Sequence, residues 1–316
     1  MNTNNKKIKG LILAAGLGSR LRPITNHIPK PLWPLAGVPL LEITINKLLN
    51  AGIEEICVNI HHLSQQIKSF LSSKYPEIHI SVESKLLGTG GALVPIREWI
   101  DGSNIIIYNS DIISDLSLNR LVESHNENNI ATMVLLSKPQ PNKSPVSFNE
   151  KGITAIRAMV PNDQFSTFSG IHILSPKFLE KVPTEGFSDI IDTYIKYLNT
   201  GENVGHHHLS GYWRDLGTPQ DFFDANVDFI QLSEKDRHRI GWYNPGVRFS
   251  ENTITDFRVK MNEAITKGFV FLYDVPSIQS HTRIENALIF NTPQIESGDY
   301  SNVIIHNHTT IQLSCD

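Results

Sequence analysis

The residues from Leu11 to Pro34, LILAAGLGSRLRPITNHIPKPLWP, have the types and spacing of an anion-handling loop. An apolar run, Leu11 to Ala15, gives way to Gly16, Gly18, Ser19, Arg20 and Arg22, and a further cation, Lys30, stands between Pro29 and Pro31. Glycines let backbone N–H groups close on a ligand because no Cβ intervenes. Successive N–H groups in such a loop form an anion-binding concavity, and guanidinium and ammonium groups supply the countercharge for a polyphosphate. The run therefore reads as a buried strand emptying into a nucleoside-triphosphate loop. It is not a P-loop, because no Gly-Lys-Ser/Thr follows, and it does not match the Rossmann dinucleotide fingerprint.

Asp111 follows the apolar run Ile105 to Tyr108, which places it at the carboxyl end of a strand. Hard cations such as Mg²⁺ take carboxylates together with phosphate oxygens, although an Asp after a strand also caps turns. Its neighbour Asp115 reads as a surface or helix-capping residue. His206, His207 and His208 are consecutive. Adjacent side chains of a strand point to opposite faces, so the three read as structural or surface residues, as do His61 and His62.

The elements that position these groups alternate along the chain. Leu40 to Asn50 reads as a helix ended by Gly52, and Glu55 to Ile60 as a strand. Leu63, Ile67, Phe70 and Leu71 form a helical stripe, Ile78 to Glu83 a strand, and Ala92, Leu93, Ile96 and Ile100 another helical face before Ile105. This order predicts an α/β fold with a doubly wound, mostly parallel, Rossmann-like sheet and a ligand at the strand carboxyl ends. Ala131 to Ser137 and Ile171 to Ser175 read as strands, a helix capped by Ser188 passes through Ile191 to Leu198, and another passes through Phe222 to Ile230. Ser233 to Arg239 reads as a linker or helix end.

Helical periodicity fades in the last seventy residues, where the triplets Val270-Phe-Leu272, Ala287-Leu-Ile289 and Val303-Ile-Ile305 start 17 and 16 residues apart. Asn286 and Asn302 precede two of them, and Asn291 and Asn307 follow. A coil of this length with apolar positions every six residues suggests a short left-handed parallel β-helix, with an irregular β domain as the alternative. The expected division is residues 1–240 for the nucleotide-binding domain and 241–316 for the small β domain.

Among 316 residues, 28 Lys+Arg stand against 32 Asp+Glu, a formal net charge of −4. No basic field points to nucleic acid. No run approaches the ~20 apolar residues of a membrane span. Lys6, Lys7 and Lys9 precede an apolar run too short for a secretory signal core, and Cys57 and Cys315 make no disulfide framework. A cytoplasmic enzyme is the expectation, and a homo-oligomer stays compatible with it.

The motif Gly16-Leu-Gly-Ser-Arg-Leu-Arg-Pro followed by Pro29-Lys-Pro-Leu resembles the signature of sugar-1-phosphate nucleotidylyltransferases (NDP-sugar pyrophosphorylases). The resemblance runs in family order through Leu87-Gly-Thr-Gly-Gly91, Asn109-Ser-Asp111, Phe168-Ser-Gly170 and Trp213-Arg-Asp-Leu-Gly217, over about the first 230 residues. It implies a GT-A-like fold and transfer of a nucleotidyl group from an NTP to a sugar-1-phosphate. It further implies that Ala14, Gly16, Gly18 and Ser19 hold the triphosphate, with Arg20 and Lys30 stabilising charge at the pyrophosphate and α-phosphate. By the same resemblance Asp111 and Asp215 hold Mg²⁺. Gly88, Thr89 and Gly90, with Glu83 just upstream, serve the base and ribose, Asn109 binds substrate, and Ser169, Gly170 and Trp213 serve the sugar.

The chain departs from the family at one place. Many relatives carry a Glu-Lys-Pro segment whose lysine holds the sugar phosphate, where this chain reads Ile156-Arg-Ala-Met-Val-Pro161 and offers Arg157. Asn109 to Asp115 and the β-rich extension resemble mannose-1-phosphate guanylyltransferases. The missing segment, Ala14-Ala15-Gly16 and Phe168-Ser-Gly-Ile171 resemble N-acetylmuramate-1-phosphate uridylyltransferases. The expectation leans to the former. A GT-A glycosyltransferase and a non-catalytic nucleotide-sugar sensor are the alternatives of other classes.

Overall fold

The apolar run before the glycine loop forms the buried strand Ile8–Leu13 inside a nine-stranded sheet. The computed structural model describes residues 8–244, 246–260 and 264–314; Lys6, Lys7 and Cys315 lie outside them. On one flank of Ile8–Leu13 the strands Ile56–Ile60 and His79–Val82 follow in parallel, and on the other flank Asn104–Asn109 is parallel to it. The strand order reverses direction between Ile8–Leu13 and Asn104–Asn109. Loops leaving a doubly wound sheet at such a point diverge and open a crevice at the strand carboxyl ends.

Beyond Asn104–Asn109 the sheet becomes mixed. The long strand Gln164–Leu174 runs antiparallel to it and to Ala131–Leu136, with a register break between Phe168 and His172. Before the break, Gln164–Leu174 pairs with Pro145–Asn149, which forms a hairpin with Gly152–Ile156. Val204–Leu209 adds a parallel edge on Ala131–Leu136.

Three helical expectations need correction. Of the stripe Ala92 to Ile100 only Arg97–Ile100 is helical; the single turn Gly88–Gly91 precedes it, and the two do not join because Pro95 between them lacks the N–H a continuous helix requires. Helix Ile190–Asn199 is capped by Asp189, whose carboxylate accepts from Ile191 N–H at 3.0 Å, while Ser188 is buried against the glycines of 88–91. The stretch read as a linker or helix end is the helix Glu234–Ile240, opened by Ser233 and closed by Gly241 in the left-handed region.

The chain then builds a six-stranded sheet, in which Thr253–Asp256, Ile265–Tyr273, Thr282–Phe290 and Gly298–His306 stack in parallel. Antiparallel strands Val247–Phe249 and Thr309–Gln312 close its two edges. Gly268, Asn286 and Asn302 have φ of +62°, +47° and +53°, and Asp274, Asn291 and Asn307 have φ of +53°, +48° and +54°. Asn and Asp tolerate this left-handed backbone better than other side chains, so the repeated asparagines mark the bends of successive coils. Val270, Ala287 and Val303 stack inside the coil, as do Leu272, Ile289 and Ile305. The sheet of mostly parallel strands is consistent with the expected left-handed β-helix.

The coil's other face packs against the first sheet's loops. Phe271, Leu288, Phe290 and Ile304 share one core with Leu21, Ile24, Ile28 and Trp33 of the glycine loop and with Phe222 and Phe229. Trp33 lies with its ring centroid 5.0 Å from Phe222 and 5.7 Å from Phe290.

Candidate active site

A cleft of about 350 Å³ opens at the carboxyl ends of Ile8–Leu13 and Asn104–Asn109. It gathers Ala14, Gly16, Gly18, Ser19, Arg20, Lys30, Glu83, Gly88, Thr89, Asn109 and Asp111, all expected from the sequence. An adjoining cleft shares Arg20 and Gly217 with the first and adds Trp213 and Asp215. Gly90, Ser169 and Gly170 line neither cleft.

The glycine loop is short-range chain folded on apolar anchors. Gly18 adopts φ +60°, and a Cβ there would lie 2.9 Å from Thr25 Cγ2, while Thr25 donates back to the Gly18 carbonyl. Leu21, Ile24 and Ile28 point down into the core, so Ser19, Arg20 and Arg22 face outward. The Arg20 guanidinium lies over Gly217, where a Cβ would stand 2.9 Å from it. The last glycine of Trp213-Arg-Asp-Leu-Gly217 thus leaves room for the arginine of the loop.

Asn59 was not singled out by sequence reasoning, yet it ties together two loops that line the cleft. It is buried, accepts from Ala14 N–H at 2.8 Å and donates to Glu83 at 2.6 Å. The other Glu83 oxygen accepts from Leu87 N–H at 2.9 Å. Glu83 is therefore committed to the two loops that frame the cleft, and it orients the Leu87–Gly91 turn. The available signal was a lone amide near the end of the apolar strand Ile-Cys-Val-Asn-Ile. His61 and His62 support the same wall through the carbonyls of Glu83 and Thr25.

Gly88 and Gly90 are packing glycines. Gly88 has φ +77°, and added Cβ atoms would stand 2.6 Å and 3.1 Å from the Ser188 carbonyl oxygen. That carbonyl accepts from the N–H groups of Gly90 and Gly91. Thr89 accepts from Ile190 N–H at 3.0 Å, which docks the turn on the start of helix Ile190–Asn199.

Asp111 and Asp215 come from neighbouring segments. The short strands Ile112–Ser114 and Trp213–Asp215 pair antiparallel with Asp215 opposite Ile112, and Leu216 N–H donates to the Asp111 carbonyl at 3.0 Å. Lys30 bonds Asp111 at 2.5 Å, and Lys143 bonds Asp215 at 2.6 Å. Among the described residues no cluster of three or more His, Cys, Asp or Glu could hold a metal ion. A pair of carboxylates fits Mg²⁺, which keeps several waters and completes its shell with substrate phosphates.

Ser169 and Gly170 lie in the register break of Gln164–Leu174, with Trp213 beside them. Gly170 has φ +84°, and a Cβ there would lie 2.9 Å from Asn109 Nδ2. Trp213 Nε1 donates to the Ser169 carbonyl at 3.0 Å. Arg157 is held by Asp189 at 2.7 Å and Asp192 at 2.8 Å. Arg214 is bound to Asp228 at 2.6 Å, and burial with that carboxylate alongside pushes the Tyr212 phenol above its usual range. Asp115 lies against Gly211, while Ser117 caps the helix Leu118–Ser124. His206 and His208 lie on one face and both pack on the Phe148 ring, as alternation along a strand requires.

Residues 9–231 match the family model for nucleotidyl transferase, and the chain belongs to that family. Mannose-1-phosphate guanyltransferase of Yarrowia lipolytica is 31% identical over 240 residues, covering 72% of this chain and 66% of the relative. The catalytic subunit beta of mannose-1-phosphate guanylyltransferase from Xenopus tropicalis is 27% identical over 81% of this chain and 73% of its own length. The chain thus spans about two thirds to three quarters of these relatives. A crystal structure of a putative glucose-1-phosphate thymidylyltransferase from Bacillus anthracis, in complex with a sucrose, aligns with TM-score 0.63. It is 25% identical, and the match covers 72% of this chain and 96% of that one. Family, relatives and fold support an enzyme of NDP-sugar synthesis from a sugar-1-phosphate.

Proposed function

We propose that the chain transfers a guanylyl group from GTP to mannose-1-phosphate, with Mg²⁺, giving GDP-mannose and pyrophosphate. The observation that carries this reading is one cleft in which the Gly16–Arg20 loop faces the Lys30–Asp111 pair across the strand carboxyl ends. The choice of base and sugar rests on the names of the relatives.

A sugar phosphate is already an anionic nucleophile, so in-line placement and charge neutralisation carry the rate. Its oxygen forms a bond to the α-phosphorus while the bond to the β-phosphate oxygen breaks, and pyrophosphate leaves with that electron pair. Loop N–H groups and Arg20 hold the departing pyrophosphate. Lys30 reaches the α-phosphate, with Asp111 fixing its ammonium until substrate enters. Mg²⁺ on Asp111 and Asp215 would neutralise phosphate charge. Asn59 and Glu83 keep the two nucleotide loops at a set separation.

Pyrophosphate release over a panel of GTP, UTP, dTTP, ATP and CTP with mannose-, glucose- and N-acetylmuramate-1-phosphates tests the reading. GTP with mannose-1-phosphate is expected to give the highest kcat/KM. Preference for UTP with N-acetylmuramate-1-phosphate would replace the substrate assignment. No release from any pair, with hydrolysis of a preformed nucleotide sugar, would point to a glycosyltransferase instead.

A further inference from the structure

The sugar side of the cleft lacks the lysine that the family resemblance implies, and Arg157 is already engaged by two carboxylates. The cations lining the adjoining cleft are Arg20, Lys143 and Arg214, of which Arg214 is bound to Asp228. Arg20 belongs to the triphosphate loop. Lys143 is different. It sits on the loop between Ala131–Leu136 and Pro145–Asn149, with its side chain 45% exposed and its ammonium 2.6 Å from Asp215.

That loop is built to aim the side chain. Gln140 N–H donates to the buried Thr167 hydroxyl at 2.9 Å, which fixes the stem, and Asn142 turns the chain with φ +60°. Lysine carries three donors on a flexible four-carbon stem, so the ammonium can hold one carboxylate and swing to a phosphate without moving the loop. A divalent cation on the Asp215 carboxylate would repel an ammonium seated on the same oxygen, and a sugar phosphate arriving beside it would attract it.

Resting on the function proposed above, we propose that Lys143 is the phosphate-binding cation of the sugar half. It exchanges Asp215 for the phosphate of the sugar-1-phosphate as the metal takes that carboxylate. The site would thereby carry on the Ser137–Ser144 loop a charge that relatives carry on another segment.

The test uses the full chain as Lys143→Met and Lys143→Arg, with kinetics on whichever nucleotide and sugar-1-phosphate the wild type uses. Mn²⁺ binding is read separately by electron paramagnetic resonance without either substrate. Loss of a charged phosphate contact should raise KM for the sugar-1-phosphate about 10- to 100-fold in Lys143→Met, with KM for the nucleotide unchanged and Lys143→Arg recovering most of the loss. Removing an exposed competitor should tighten Mn²⁺ about two- to fivefold. An unchanged KM for the sugar phosphate, an equal rise in both KM values, or unchanged or weaker Mn²⁺ binding would overturn the proposal. A wild type that transfers to no sugar-1-phosphate would remove the proposed function instead, and the Mn²⁺ arm would still decide whether Lys143 competes for Asp215.

Discussion

The two halves of the cleft are built in opposite ways. On the side proposed to take the nucleotide, buried groups hold the loops: Asn59 and Glu83 are 2% and 4% exposed, bond each other, and accept from the N–H groups of Ala14 and Leu87. On the side proposed to take the sugar, Lys143 and Arg157 are half exposed and reach across from surface loops to Asp215, Asp189 and Asp192. Bonds out of reach of water are costly to break, because the orphaned partner keeps its desolvation penalty, whereas exposed ion pairs contribute little and rearrange readily. The triphosphate is common to all reactions of this type, so a rigid seat serves it. On the proposed function the sugar varies, and exposed groups such as Lys143 and Arg157 can be relocated without disturbing the sheet.

The largest expected effect breaks the point where the halves meet. Asp111→Asn should lower kcat by of order 10³-fold, as loss of a principal electrostatic group does, with an unchanged circular dichroism spectrum. Near-normal turnover would remove Asp111 from the chemistry. Asn59→Leu tests the buried half: leaving Glu83 and Ala14 N–H unpaired should cost about 1–3 kcal/mol of stability and raise KM for the nucleotide more than KM for the sugar phosphate. Equal effects on the two would erase the contrast drawn here.

The smallest effect concerns the strand beneath the sugar-side bulge. Burial holds the His172 imidazole from 6.5 down to about 3, where it bonds the Tyr194 hydroxyl. The unfolded chain takes up a proton below its ordinary pKa while the folded chain does not. This contribution to stability is thus fully present above pH 6.5 and lost as pH falls towards 3. Denaturant titrations between pH 7 and 4 should show His172→Gln flattening that acid limb by up to about 1.4 kcal/mol per pH unit. An unaltered slope would mean the histidine is already charged in the fold.

The difference between the halves also decided what could be read from the chain. The triphosphate loop is contiguous, so Gly16, Gly18, Arg20 and Lys30 announce their chemistry together, and the alternation of strands and helices placed Asp111 at a carboxyl end. Asn59 escaped because its strand looks wholly apolar, and an isolated polar residue there carries meaning only once Ala14 and Glu83 are seen on either side. Lys143 escaped for the opposite reason. Its neighbours, Pro-Gln-Pro-Asn and Ser-Pro, describe a turn and nothing more, and its partner Asp215 lies 72 residues away in the chain. The coil was legible through its repeated asparagines, while the face it turns toward Trp33 was not, since both faces of its strands are apolar.

That shared face makes the glycine loop of this chain depend on the coil. Leu21, Ile24, Ile28 and Trp33, apolar residues of the glycine loop and the chain that follows it, are packed on Phe271, Leu288, Phe290 and Ile304 of the coil. A descendant that shed the last seventy residues would bare that floor to water just beneath Arg20 and Lys30, and would have to resurface it at the same time. In this chain the coil is thus a foundation stone rather than an annex, because the floor beneath Arg20 and Lys30 is packed on it.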